Sequence, residues 1–255
     1  TLHLDDGTAL AADVVVSAIG MFNELAYPDI DGLDRFAGTV FHSARWDWGH
    51  DLTGEAVAVI GSAASAVQLV PEIVETAGPV HLFQRSANWV LPKPDDPYTE
   101  EQLDAFRRDP TPLLRFREEV ERSTNENMTH DDAALIAKRE QIVLDALEVV
   151  ADPVTRAKLR PTSPYGCKRP LFANSFYPAF NRPNLELVTE PILRITEDAV
   201  VTADGVSRRV DTIVCATGFR AAKFLSVIDV VGRDGLHLSE AWRDGPQAYL
   251  GITTA

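Results

Sequence analysis

Cysteine is nearly absent from the 255 residues: Cys167 and Cys215 stand alone and far apart. No C-x-x-C redox pair and no zinc-like cluster can be built from them, so a metal site is not expected. Both thiols read as small buried packing residues in a reducing, cytoplasmic setting. Long apolar runs are missing as well. The most apolar stretch, Ala56 to Val70, is interrupted by Gly61, Ser62, Ser65 and Gln68, which excludes a membrane span. Positive charge is scarce, with 24 Lys and Arg against 38 Asp and Glu and a net charge of −14. Such a surface repels nucleic acid, and any anionic ligand has to be held by a local basic site. The opening Thr1-Leu2-His3-Leu4-Asp5-Asp6 has neither the basic nor the apolar part of a secretion signal and no initiating Met. What remains is an ordinary globular composition, 45% hydrophobic and 24% charged.

Two distant segments share one layout. Leu4-Asp5-Asp6-Gly7 leads to Asp13-Val14-Val15-Val16-Ser17-Ala18-Ile19-Gly20, and Ala203-Asp204-Gly205 leads to Asp211-Thr212-Ile213-Val214-Cys215-Ala216-Thr217-Gly218, with matching spacings. Each copy reads as an Asp-Gly hairpin followed by a buried strand that ends in a glycine turn. If each copy closes a nucleotide-binding domain, a strand, a Gly-rich turn and a helix should precede it. Residues 55–76 supply that unit for the second copy. The first copy has none before it, so its phosphate loop is expected upstream of Thr1, in a longer polypeptide.

The unit at 55–76 begins with the strand pattern Glu55 to Ile60. The turn Gly61-Ser62-Ala63-Ala64-Ser65-Ala66 follows, and then an amphipathic helix through Val67, Val70, Ile73 and Val74. Such a turn presents backbone N–H groups at a helix N-terminus to a pyrophosphate. Gly61, Ser62, Ala63, Ala64, Ser65 and Gln68 are therefore the expected cofactor contacts. Ala63 occupies a position where G-x-G-x-x-G/A has glycine, and its methyl group could cost about 1–3 kcal/mol if the turn cannot relax. About twenty residues further on, NAD-binding domains place an acidic residue against the ribose hydroxyls. Here the strand Val80-His81-Leu82-Phe83 runs into Gln84-Arg85-Ser86 instead. Arg85 and Ser86 suit a 2′-phosphate by charge-assisted hydrogen bonding, so NADPH is expected rather than NADH.

Between the first echo and the turn lie Phe36, Gly38, His42, Trp46 and Asp47, which fill F-x-G-x-x-x-H-x-x-x-W-[P/D]. A chance match at a given start is on the order of one in a million, from ordinary residue usage. Here the sequence resembles the Baeyer–Villiger monooxygenases. A second similar stretch is Tyr165-Gly166-Cys167-Lys168-Arg169-Pro170 leading to Tyr177-Pro178-Ala179-Phe180-Asn181-Arg182. Asp211 to Phe219 and Trp242 to Ile252 resemble the family too.

The resemblance implies FAD beside NADPH, with O2 and a small ketone as reactants. It implies that Lys168 joins Arg85 at the 2′-phosphate and that Arg169 faces the flavin, steadying negative charge during oxygen transfer. It also makes His42 a catalytic candidate, in a link thought to couple the motion of two nucleotide domains. Trp46 followed by Asp47 tilts the resemblance toward ketone oxygenation over N- or S-oxygenation.

Residues 98–160 carry helix signals, with Thr99 and Gln102 as a capping box and an apolar row of Ile136, Val143, Leu147 and Val150. They resemble the helical insertion of that family. The expected fold is α/β: a Rossmann-like three-layer dinucleotide-binding domain at 32–220 with the insertion at about 98–160. Residues 1–31 would close a truncated FAD-binding domain, and 221–255 would return toward it. Two alternatives stay open. One is an N- or S-oxygenating flavin monooxygenase, and the other is a non-catalytic NADPH-binding module in this stretch alone.

Overall fold

The computed structural model describes residues 1–93, 95–128, 132–223, 225 and 227–251. They form two units, residues 29–216 on one side and residues 1–28 with 217–255 on the other.

The smaller unit holds the hairpin β1 (Leu2–His3) and β2 (Ala9–Leu10), which pair antiparallel across the Asp-Gly turn. The buried strand expected next does not form. Residues 11–20 belong to no strand and are exposed, Val16 to 84%. The reason is local: an apolar strand becomes buried only between neighbours, and among the described residues no strand pairs with this segment. Further along the unit, Thr217 Oγ1 donates to the Ala26 carbonyl and the Ala26 N–H donates to Gly218.

The larger unit contains β3 (Thr39–His42), β4 (Val57–Ile60), α1 (Ala64–Ile73), β5 (Val80–Phe83) and β6 (Val90–Leu91). Four helices follow: α2 (Glu100–Arg108), α3 (Thr111–Met128), α4 (Ala133–Leu147) and α5 (Pro153–Leu159). The insertion is thus helical, as expected, although residues 129–131 of it lie outside the described set. Then come β7 (Leu171–Phe172), α6 (Phe176–Ala179), β8 (Leu185–Val188), β9 (Ile192–Ile195), β10 (Ala199–Thr202), β11 (Ser207–Arg209) and β12 (Thr212–Cys215). The return segment carries α7 (Leu238–Ala241), and Ile252 at the end of the family match is outside the described residues.

Five strands make one parallel sheet in the order β3-β12-β4-β5-β8. All four residues of β4 are buried, as a central parallel strand requires, because both of its faces are covered. One face packs Val57, Val59 and Leu82 against Ala66, Val67 and Val70 of α1 and against Val143 and Leu147 of α4. The apolar row of α4 is therefore core. On the other face Ala58, Ile60, Ile213 and Cys215 meet Ile195, Val200 and Val210, contributed by the antiparallel sheet β11-β10-β9 and the strand link. The domain has three layers, and the layer opposite the helices is a small sheet. The second echo copy is realised in full: an Asp-Gly hairpin at β10–β11, then the buried strand β12.

Candidate dinucleotide site

The chain leaves β4 through α1 to β5 on one side, while β12 lies on the other. This reversal makes the carboxyl end of β4 a topological switch point, the place where open α/β sheets bind ligands. Gly61 occupies it with φ +106°, a conformation L side chains rarely adopt, and its N–H donates to the Phe83 carbonyl at 3.1 Å. The chain then enters α1 at Ala63, whose side chain caps nothing. Ala64 and Ser65 are exposed in the first turn, where helical N–H groups have no intrahelical acceptor. Ala63 has φ −90°, so its backbone does not call for glycine, and its methyl group is exposed. Ala66 is fully buried against the sheet, the close packing that a small third residue of the motif allows.

Two expected contacts are engaged within the chain, Ser62 buried and Gln68 exposed. The Ser62 hydroxyl approaches the Ser86 carbonyl at 3.5 Å, and Gln68 Nε2 donates to the Ala64 carbonyl at 3.0 Å. A residue that sequence reasoning passed over, Asn88, donates to the Ser62 carbonyl at 2.8 Å and ties the turn to the loop after β5. No local signal announces it, since the contact spans 26 positions. Gln84 is buried and donates to the Lys158 carbonyl at the end of α5, which fixes the other flank of the same loop.

Between these ties Arg85 and Ser86 are exposed. Lys168 reaches the same loop from far along the chain: its Nζ donates to Ser86 Oγ at 2.5 Å and to the Ala87 carbonyl at 3.4 Å. Thus Lys168 and Ser86 come together, beside Arg85 in sequence. Arg169 is exposed next to Lys168. Cys167, expected to be buried, is exposed, because it sits in the turn closed by its own N–H to Pro164 rather than in a strand. Cys215 is buried in β12, and burial pushes its thiol up to about 11.

His42 ends β3 in register with Cys215, which is itself in register with Ile60. It therefore lies about 10 Å, two strand spacings, from the residue before Gly61. The ring is fully buried, and its Nδ1 accepts from the Ala44 N–H at 3.1 Å. The motif segment is thus an edge strand of the sheet and not a bare link. Trp46 packs edge-on against Phe41 with ring centroids 4.9 Å apart, and Asp47 accepts from the Gly49 N–H. Among the described residues no His, Cys, Asp and Glu group could hold a metal ion, and no helix is long and apolar enough to cross a membrane.

Residues 5–156 match the family model described as flavin-binding monooxygenase-like. A Baeyer–Villiger monooxygenase of Pseudomonas aeruginosa is 38% identical over 257 aligned residues, covering 100% of this chain and 49% of the relative. The crystal structure of cyclohexanone monooxygenase from Rhodococcus sp. Phi1 bound to NADP+ superimposes with a TM-score of 0.84 at 32% identity, covering 98% of this chain and 55% of that one. OTEMO in complex with FAD and NADP gives 0.78 at 31% identity, over 92% and 53% of the two chains. The chain spans about half the length of the relatives it matches.

Proposed function

Because the chain belongs to the flavin-binding monooxygenase-like family, we propose that the protein carrying it is an NADPH- and FAD-dependent monooxygenase of the Baeyer–Villiger type. In this reading a ketone, O2, NADPH and a proton give an ester or lactone, NADP+ and water. The observation that carries the reading is Lys168 on Ser86, beside Arg85, in the loop that Asn88 ties to the turn between β4 and α1. A cation pair and a hydroxyl there suit a 2′-phosphate, which an acidic residue would repel. The fit extends to the turn itself, where Gly61 has the positive φ that lets backbone N–H groups approach a pyrophosphate. Residues 32–220 are assigned to NADPH, 1–31 to the end of the FAD-binding domain, and 221–255 to a return segment toward it.

The flavin, when bound, supplies the oxygen activation. This chain's residues bind and orient. Gly61, Ser62, Ala63, Ala64 and Ser65 present the turn to the dinucleotide, with Gln68 one helical turn on. Arg85, Ser86 and Lys168 select the phosphate. Arg169 stays cationic at any working pH and is assigned to steadying negative charge on the oxygen being transferred. His42, buried at the carboxyl end of the sheet, is assigned a catalytic role through the orientation of the neighbouring backbone. Two free thiols and the absence of a cysteine pair fit a reducing, cytoplasmic setting.

The test uses the full-length protein with FAD, NADPH and a panel of cyclic and linear ketones, with products identified by mass. Ester or lactone formed in step with NADPH consumption supports the reading. Hydrogen peroxide as the only product with every ketone, together with oxygenation of amines or sulfides, replaces it with N- or S-oxygenation. NADPH binding with no oxygenation of any class leaves a dinucleotide-binding module.

A further inference from the structure

Arg139 is a guanidinium in an unexpected place. It projects from α4 in the helical insertion, yet only 4% of the residue is exposed. Burying that cation is unfavourable unless it is compensated by contacts. Part of the compensation is Tyr165: the guanidinium carbon lies 5.8 Å from the centroid of its ring. The next residue of α4, Glu140, accepts the Tyr165 N–H at 3.3 Å. Tyr165 also meets Trp89 edge-on, with ring centroids 5.7 Å apart. Trp89 in turn donates its indole N–H to the Ser163 carbonyl at 2.9 Å. Burial raises the Tyr165 hydroxyl above its usual range, and the charge of Arg139 opposes the rise.

Tyr165 opens the loop that carries Lys168. The chain turns immediately after it, at Gly166 with φ +88°, and Lys168 then reaches Ser86. Two helix-borne groups and one indole therefore fix the start of a short loop whose end delivers an ammonium to the phosphate-selecting position. Since only Gly166 and Cys167 separate Tyr165 from Lys168, a shift at the root of the loop is passed to Nζ with little slack.

We infer that Arg139 is a positioning residue: through Tyr165 it sets Lys168 against Ser86, so the helical insertion governs how strongly the site prefers a phosphorylated dinucleotide. This rests on the reading of Lys168 as a 2′-phosphate ligand. The preference for NADPH over NADH is the readout, because NADH lacks only the 2′-phosphate and uses the same turn and helix. A loss of general packing weakens both dinucleotides alike, whereas a displaced Lys168 weakens NADPH alone.

The experiment measures dissociation constants of NADPH and NADH for the full-length wild-type protein and for Arg139→Met, Arg139→Lys, Tyr165→Leu and Lys168→Ala. Met keeps most of the buried volume of the arginine stem and removes the charge and the planar face. Arg139→Met is expected to lower the NADPH-over-NADH ratio about tenfold, the equivalent of weakening one charge-assisted hydrogen bond. Tyr165→Leu should do the same, and Arg139→Lys should fall between, since it keeps charge without the planar contact.

Should Lys168→Ala collapse the ratio while a folded Arg139→Met leaves it at the wild-type value, the positioning role is wrong and the phosphate reading stands. If Lys168→Ala itself leaves the ratio unchanged, the phosphate reading falls and the inference goes with it. Tyr165→Leu carries the test alone if Arg139→Met does not fold.

Discussion

Gly38 is the residue where one absent methyl group decides most. A Cβ built there meets the Asp211 carbonyl oxygen and the Phe36 ring well inside any allowed contact. That carbonyl accepts the Thr39 N–H at 3.1 Å, a bond at the start of the pairing of β3 with β12. The glycine of the F-x-G motif is thus explained by a close approach between two backbones, and the Phe before it by partial burial on the face of the parallel sheet covered by the small antiparallel one. Gly38→Ala should therefore destabilise the larger unit by about 2–3 kcal/mol, the usual cost of overpacking when backbone must move. Denaturant unfolding would detect this as a lower midpoint with an unchanged slope. A variant as stable as wild type would mean that the strand edge yields freely. His42 needs no such steric account, and its burial was not legible from the sequence, because an edge strand and a link look alike over four residues.

Elements are held across layers by Glu186 of β8. Its carboxylate receives two bonds from Arg208 of β11, at 2.7 and 2.9 Å, and one from His81 of β5 at 2.8 Å. Arg208 also donates to Thr202 of β10, so a single cluster spans the parallel sheet and the small antiparallel one. The Arg208 bond, with His81 adding to it, holds the Glu186 carboxyl below the usual carboxylate range against the opposing effect of burial. A depressed folded value means that the cluster stabilises the fold above the unfolded carboxylate range. The contribution is lost as pH falls through the folded value.

Glu186→Gln should accordingly cost about 1 kcal/mol at neutral pH, a modest figure because the carboxylate is about half exposed. The gap from wild type should close as pH drops below about 4. Unfolding measured across that range checks the sign. A gap that widened in acid would assign the stabilisation to some other group.

The second echo copy made β10, β11 and β12 readable, and the apolar periodicity did the same for β4 and α1. The capping box at Thr99 and Gln102 is formed by both of its bonds. The third strand of the small sheet, β9, was not legible, since Ile192–Ile195 carries two exposed residues and lacks strict alternation. Asn88 and Arg139 were missed for a different reason: their partners lie tens of positions away, and only packing brings them together.

At the scale of the whole chain, the same local pattern has two fates. Thr212–Cys215 lies between β3 and β4 and is wholly buried, whereas Val14, Val15 and Val16, equally apolar, pair with no strand among the described residues and stay exposed. Sequence alone could not separate them, because burial of a parallel strand is a property of its neighbours and not of its own side chains. This difference has a measurable form in amide exchange. The amides of β4, β5 and β12 sit in a sheet covered on both faces and should exchange only through global unfolding. Those of residues 13–19 should exchange at the rate of an open chain in a preparation of residues 1–255. Protection of 13–19 comparable to β12 would overturn the view that the first copy lacks a partner. Rapid exchange in β12 would overturn the central position of that strand, and with it the switch point on which the dinucleotide site depends.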